Sequence, residues 1–91
     1  MEATKIGLAM GVNVFDNSKL VIDNTGKVGI GTTSPQGALD VLSTTAGFIV
    51  PRMTTEQRDA LTAVNGMIIY NTATNAFNFY EDGSWVTKTN N

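Results

Sequence analysis

The sequence has 91 residues, no cysteine, no histidine and a formal charge of −2, which leaves room for one small domain, or less if part of the chain is extended. Without thiols or imidazoles there is no disulfide framework, and metal ligands could come only from carboxylates and carbonyls. Charged residues make up 15% against about 25% in ordinary domains, a poor basis for holding DNA or an acidic bilayer.

A lone chain of this size buries only about 60–65% of its unfolded surface, so oligomerisation is the expected source of further burial. The first four residues have no basic segment followed by a long apolar one, so no signal peptide is expected. Apolar runs extend for only a few residues, too short for membrane insertion.

Along residues 5–14, Ile6, Leu8, Met10, Val12 and Val14 alternate with Gly7, Ala9, Gly11 and Asn13. Period two predicts a strand with one apolar face. The small residues opposite point to close approach of another backbone, with a loosely ordered N-terminal arm as the alternative. A turn at residues 15–18 precedes a strand at Lys19-Leu20-Val21-Ile22, and Asp23-Asn24-Thr25-Gly26 closes it. Lys27-Val28-Gly29-Ile30-Gly31 follows. The two short segments resemble rungs of a small repeating β element.

Thr32-Thr33-Ser34-Pro35 breaks the pattern, with Ser34 able to cap and Pro35 able to begin one helical turn. Residues 38–42 resume as a strand with Leu39 and Val41 on one side. Phe48-Ile49-Val50 reads as a brief apolar strand that Pro51 stops. Thr54 and Gln57 have capping-box spacing and Glu56 suits a first helical turn. About two turns are expected over residues 55–61, packed through Met53 and Leu61.

Beyond the Asn65-Gly66 turn, Met67-Ile68-Ile69-Tyr70, Ala76-Phe77-Asn78-Phe79-Tyr80 and Ser84-Trp85-Val86-Thr87 predict a three-stranded antiparallel meander. It contains most of the aromatic residues and is the expected core. The fold class is therefore mainly β: short Gly-rich strands in an N-terminal inter-chain region, one short helix, and a C-terminal meander. The expected division is residues 1–46, an extended trimerisation or attachment region, and residues 47–91, a helix plus meander head.

Chemistry is hard to find. Gly26-Lys27 with Gly29 and Gly31 invites comparison with nucleotide-binding loops, but Val28 follows the lysine and Val21 occupies the place of the earlier glycine. Ser34 stands where a dinucleotide fingerprint needs its third glycine. The carboxylates are scattered, and Asp16, Asp23 and Glu56 have local turn or helix-start explanations. Nothing suggests a nucleophile with its base. The expectation is a chain that is not an enzyme, with no catalytic residues, no cofactor and no metal.

Arg52, between an ended strand and a capped helix, can pair with a carboxylate of its own chain or of a neighbour, or simply be solvated. Tyr80 and Trp85, beside Asn-rich loops, can contact a glycan or fill the core.

Gly29-Ile30-Gly31-Thr32-Thr33-Ser34-Pro35 with Leu39-Asp40-Val41, then residues 48–58, then Gly66-Met67-Ile68-Ile69-Tyr70-Asn71-Thr72 with Asn75 and Gly83-Ser84-Trp85-Val86, resemble in order a module of bacteriophage fibre and tail-fibre proteins. The resemblance covers roughly residues 20–86. It implies an intertwined homotrimer on a virion, a fibre, spike or capsid decoration element, or alternatively a host-surface or glycan-binding tip. The implied partners are the chain itself and another virion protein such as capsid or tail, with a host surface glycan as a further option and no nucleic acid. Such proteins often carry the module within a much longer fibre, whereas this chain starts at Met1 and stops just past it, so a small decoration protein, an excised domain or a minor fibre all fit. The alternation and the resemblance agree that Ile6, Leu8, Val28, Ile30, Leu39 and Val41 should bury against neighbouring chains, with Arg52 locking them.

Overall fold

The computed structural model describes residues 20–89. The strand expected over residues 5–14, and with it Ile6 and Leu8, lies outside the described residues. The chain divides into two compact units, Met1–Phe48 and Ile49–Asn91. The described residues are mainly β, with one short helix.

The first unit contains β1 (Leu20–Ile22), β2 (Val28–Ile30) and β3 (Leu39–Val41) in one mixed sheet. β1 and β2 pair antiparallel, so they form a hairpin rather than successive rungs of a repeat. The cause is the turn between them, where Gly26 takes φ 90° and its N–H donates to the Asp23 carbonyl. β3 lies parallel to β2. Parallel neighbours need a crossover, and residues 31–38 supply a tight one without a helix. The helical turn expected at Ser34-Pro35 is replaced by a hydroxyl-capped bend, in which the Ser34 N–H donates to Thr32 Oγ1 at 3.0 Å.

Glycine is required here for space. A Cβ on Gly29 would stand 2.5 Å from the Thr32 carbonyl oxygen and 3.4 Å from Pro35 Cβ. Pro35 is itself buried. The crossover loop thus folds back onto the Gly29 face, and the Gln36 N–H fixes it by donating to Asp40 Oδ2 at 3.0 Å.

The second unit contains β4 (Arg52–Met53), α1 (Thr55–Asp59), β5 (Ile68–Asn71), β6 (Ala76–Glu81) and β7 (Ser84–Thr87). The expected antiparallel meander is β5-β6-β7. β4 adds a fourth strand, parallel to β5. The strand expected at Phe48-Ile49-Val50 instead begins after the proline. The ladder takes the carbonyls of Pro51 and Met53, which accept from Tyr70 and Thr72, and asks for no N–H from Pro51, so the missing proline N–H costs nothing on this edge.

Thr54 caps α1 as expected. Its Oγ1 accepts from the Gln57 N–H at 3.2 Å, and Gln57 Oε1 accepts from the Thr54 N–H at 2.9 Å. The helix ends two residues before its expected limit, and Leu61 is exposed rather than packed beneath it. At the β6–β7 turn Asp82 and Gly83 both take positive φ, 51° and 80°, the pattern of a two-residue hairpin.

In the β1–β2 turn, Asp23 Oδ1 accepts from the Thr25 hydroxyl at 2.7 Å, the Thr25 N–H at 2.9 Å and the Lys27 N–H at 3.0 Å. These bonds, the Thr25 hydroxyl first, hold the carboxyl below its ordinary pKa of 3.8. A depressed pKa means the turn is fully supported above the ordinary carboxylate range and loses that support as pH falls through the lowered value. The Thr25 and Lys27 amide shifts should therefore titrate together, with a shared NMR midpoint below 3.8; a midpoint above it would contradict this account of the turn.

Candidate functional site

Strand register assigns each side chain to a face. In the first sheet Leu20 pairs with Ile30, Ile22 with Val28, Val28 with Leu39, and Ile30 with Val41. All six aliphatic residues share one face, while Val21, Gly29 and Asp40 share the other. The Gly29 face is closed by the crossover loop. The aliphatic face is open: Ile22 is 60% exposed and Leu39 55%. Four residues expected at a chain–chain contact, Val28, Ile30, Leu39 and Val41, are brought together here.

The second sheet has an unusual division. Its helix-side face carries Ile69, Asn71 and Asn78, each almost fully buried. Asn71 Nδ2 donates to Thr55 Oγ1 at 2.8 Å and to Asn78 Oδ1 at 3.0 Å, while its Oδ1 accepts from the Ala73 and Thr74 N–H groups. Both donors and the acceptor of this amide are therefore used. Asn78 Oδ1 also accepts from Arg58 Nη1 at 2.9 Å, and Asn78 Nδ2 donates to Thr87 Oγ1 at 3.3 Å.

Arg58 completes the layer. Its Nε and Nη2 donate to Asp59 Oδ1 at 3.0 and 2.8 Å, and its guanidinium carbon lies 5.3 Å from the centre of the Trp85 ring. Only 17% of the Arg58 side chain is exposed. Trp85 also meets Tyr80 edge-on, with ring centres 5.0 Å apart. Tyr80 donates its hydroxyl to the Gly83 carbonyl at 2.9 Å. The two residues expected as glycan contacts thus meet each other within their own chain, Trp85 also meets Arg58, and Trp85 is half-buried.

Sequence reasoning missed this polar layer. A signal was present: in Phe77-Asn78-Phe79 an amide occupies the inward position of an alternating strand, which is tenable only with buried partners. Arg52, by contrast, is exposed, and among the described residues it makes no ion pair.

The opposite face carries Ile68, Tyr70, Phe77, Phe79 and Val86, set in register by β5, β6 and β7. Of the aromatics expected in the core, Tyr70, Phe77 and Phe79 therefore form an outer layer, while the inward positions beside them are taken by Ile69 and two amides. Among the described residues no cluster of three or more acidic residues could hold a metal ion, and no helix is long and apolar enough to cross a membrane.

Two open apolar faces, each backed by its own chain, are the features of a protein completed by copies of itself. Residues 29–91 match a family described as the phage tail like trimerisation region. The chain belongs to this family. It is a phage-type structural module, and its partner is itself, as a homotrimer. Searches of curated proteins and of solved structures gave no match.

The polar layer makes its own prediction. Asn78→Ala removes the shared acceptor of Arg58 and Asn71 and leaves their donors unpaired in a largely buried layer, a loss of about 1–3 kcal/mol for each stranded group and more where it is charged. Urea unfolding followed by Trp85 fluorescence should show a stability loss of roughly 2–4 kcal/mol, against under about 0.5 kcal/mol for Asn75→Gly in the exposed turn.

Proposed function

We propose that the chain is a non-catalytic structural component of a phage particle, a fibre, spike or capsid decoration element. In this reading it trimerises through the aliphatic face of its first sheet. The observation that carries the reading is that Leu20, Ile22, Val28, Ile30, Leu39 and Val41 share one open face, while the other face of the same strands is closed by the chain's own loop. An apolar face of this kind suits a sheet of identical chemistry better than a soluble ligand.

Low charge supports the same reading. With charged residues at 15%, little electrostatic repulsion opposes bringing three copies together. Anchoring on the particle would fall to another virion protein such as capsid or tail. A host-surface or glycan-binding role has less support, because Tyr80 and Trp85 already hold each other and Trp85 also holds Arg58.

Light scattering on the full chain at micromolar concentration should give the mass of a trimer; a clean monomer would overturn the reading. Leu39→Lys places a charge on the aliphatic face, at its β3 edge, without touching the Gly29 side. Burial of a leucine is worth roughly 1.5–3 kcal/mol, so this variant should sediment as monomer at concentrations where the parent is trimeric. Its Trp85 fluorescence should be unchanged.

A further inference from the structure

The aromatic face of the second sheet has a pattern of its own. Ile68, Phe79 and Val86 form one row across β5, β6 and β7. Arg52, Tyr70 and Phe77 form the next, across β4, β5 and β6. Tyr70 meets Phe77 edge-on at 5.2 Å, and Phe77 and Phe79 stack at 6.4 Å with their planes 19° apart. Yet Phe77 is 39% exposed, and Ile68 and Val86 are each 42% exposed. The rings are ordered against one another and open outward.

Charge marks the two ends of this face. Arg52 stands at the β4 edge. Alternation along β6 puts Glu81 on the same side as Phe77 and Phe79, at the far end beside the Asp82-Gly83 turn. Both are exposed, and among the described residues neither makes an ion pair. An open depression of about 320 Å³ lies next to Glu81, bounded by Met67, Ile68 and Phe79 among others. It is apolar within and acidic at its rim, which fits the aliphatic stem and guanidinium of an arginine.

We propose that this face is a second inter-copy interface, in which Arg52 of one copy lies across the depression of the next and pairs with that copy's Glu81. The occupant is another copy of this chain for two reasons. The trimerisation family spans every strand of the sheet, and the face presents a cation and a carboxylate at opposite ends, so it complements itself once shifted. In a closed ring of three, each contact joins two different patches, and these two ends supply such a pair. The inference rests on the trimer reading but assigns a different surface and a specific ion pair.

The test is a charge swap read by sedimentation of the full chain, with far-UV circular dichroism to confirm the fold. Arg52→Glu and Glu81→Arg should each raise the concentration for half-dissociation of the trimer by about tenfold or more, and the double swap should return it close to the parent value. Phe77→Thr, on the outer face and away from the helix, should weaken the trimer to a similar degree. Singles that dissociate like the parent, or a double swap that loses as much as both singles together, would overturn the interface and leave the trimer itself standing. A parent that is monomeric would remove the trimer reading, and with it this one.

Discussion

The structure depends on a shortage of private interior. Among the described residues the buried hydrophobic core is Ile69 alone, and burying one such side chain contributes roughly 1.5–3 kcal/mol. Each sheet has only one covered face, the first under a loop and the second under a five-residue helix. Neither cover is thick enough to make a second apolar layer. The aliphatic and aromatic residues that would line such a layer are present, but they stand on the outer faces. A chain arranged this way is half of a core, and in the proposed trimer other copies supply the rest.

The two units solve the covered side differently. In the first, closure is steric: Gly29 lets the Thr32 carbonyl and Pro35 reach the sheet, and a β-carbon there would have to displace backbone. In the second, closure is polar: a capped single turn of helix positions Thr55 and Arg58 over two buried amides. A helix this short does not hold itself in water. The capping box fixes its start, and the bonds from Asn71 to Thr55 and from Arg58 to Asn78 hold it to the sheet. Arg58 also shields the Trp85 ring, so one residue joins the helix to both β6 and β7.

Much of this was legible in the sequence, and the parts that were not share a cause. Period-two alternation located all the strands of the meander, and Thr54 with Gln57 located the cap, because these signals are local. The grouping of Val28, Ile30, Leu39 and Val41 on one side was also legible, since residues two apart share a face. What alternation does not reveal is which strands pair, and in which direction. Hence the β1–β2 hairpin and the parallel β4 edge came only with the structure. The site followed the same rule. For Arg52 the sequence left pairing and solvation both open, and within the chain the arginine held is Arg58, through Asn78, a residue 20 positions away.

The polar layer also explains why the aromatic face points outward. A strand can slip by one residue, and each slip exchanges its two faces. In β6 such a slip would bring Phe77 and Phe79 under the helix and gain apolar burial, so hydrophobicity alone favours the wrong register. The amides oppose it. With Asn78 turned outward, Arg58 and Asn71 would lose their common acceptor, and Asn71 would keep only part of its four bonds. The donors stranded on Arg58 and Asn71 oppose the burial of the two rings. The network thus contributes register more than raw stability. By fixing Asn78 inward it commits Phe77 and Phe79 to the outer face, where another copy can reach them.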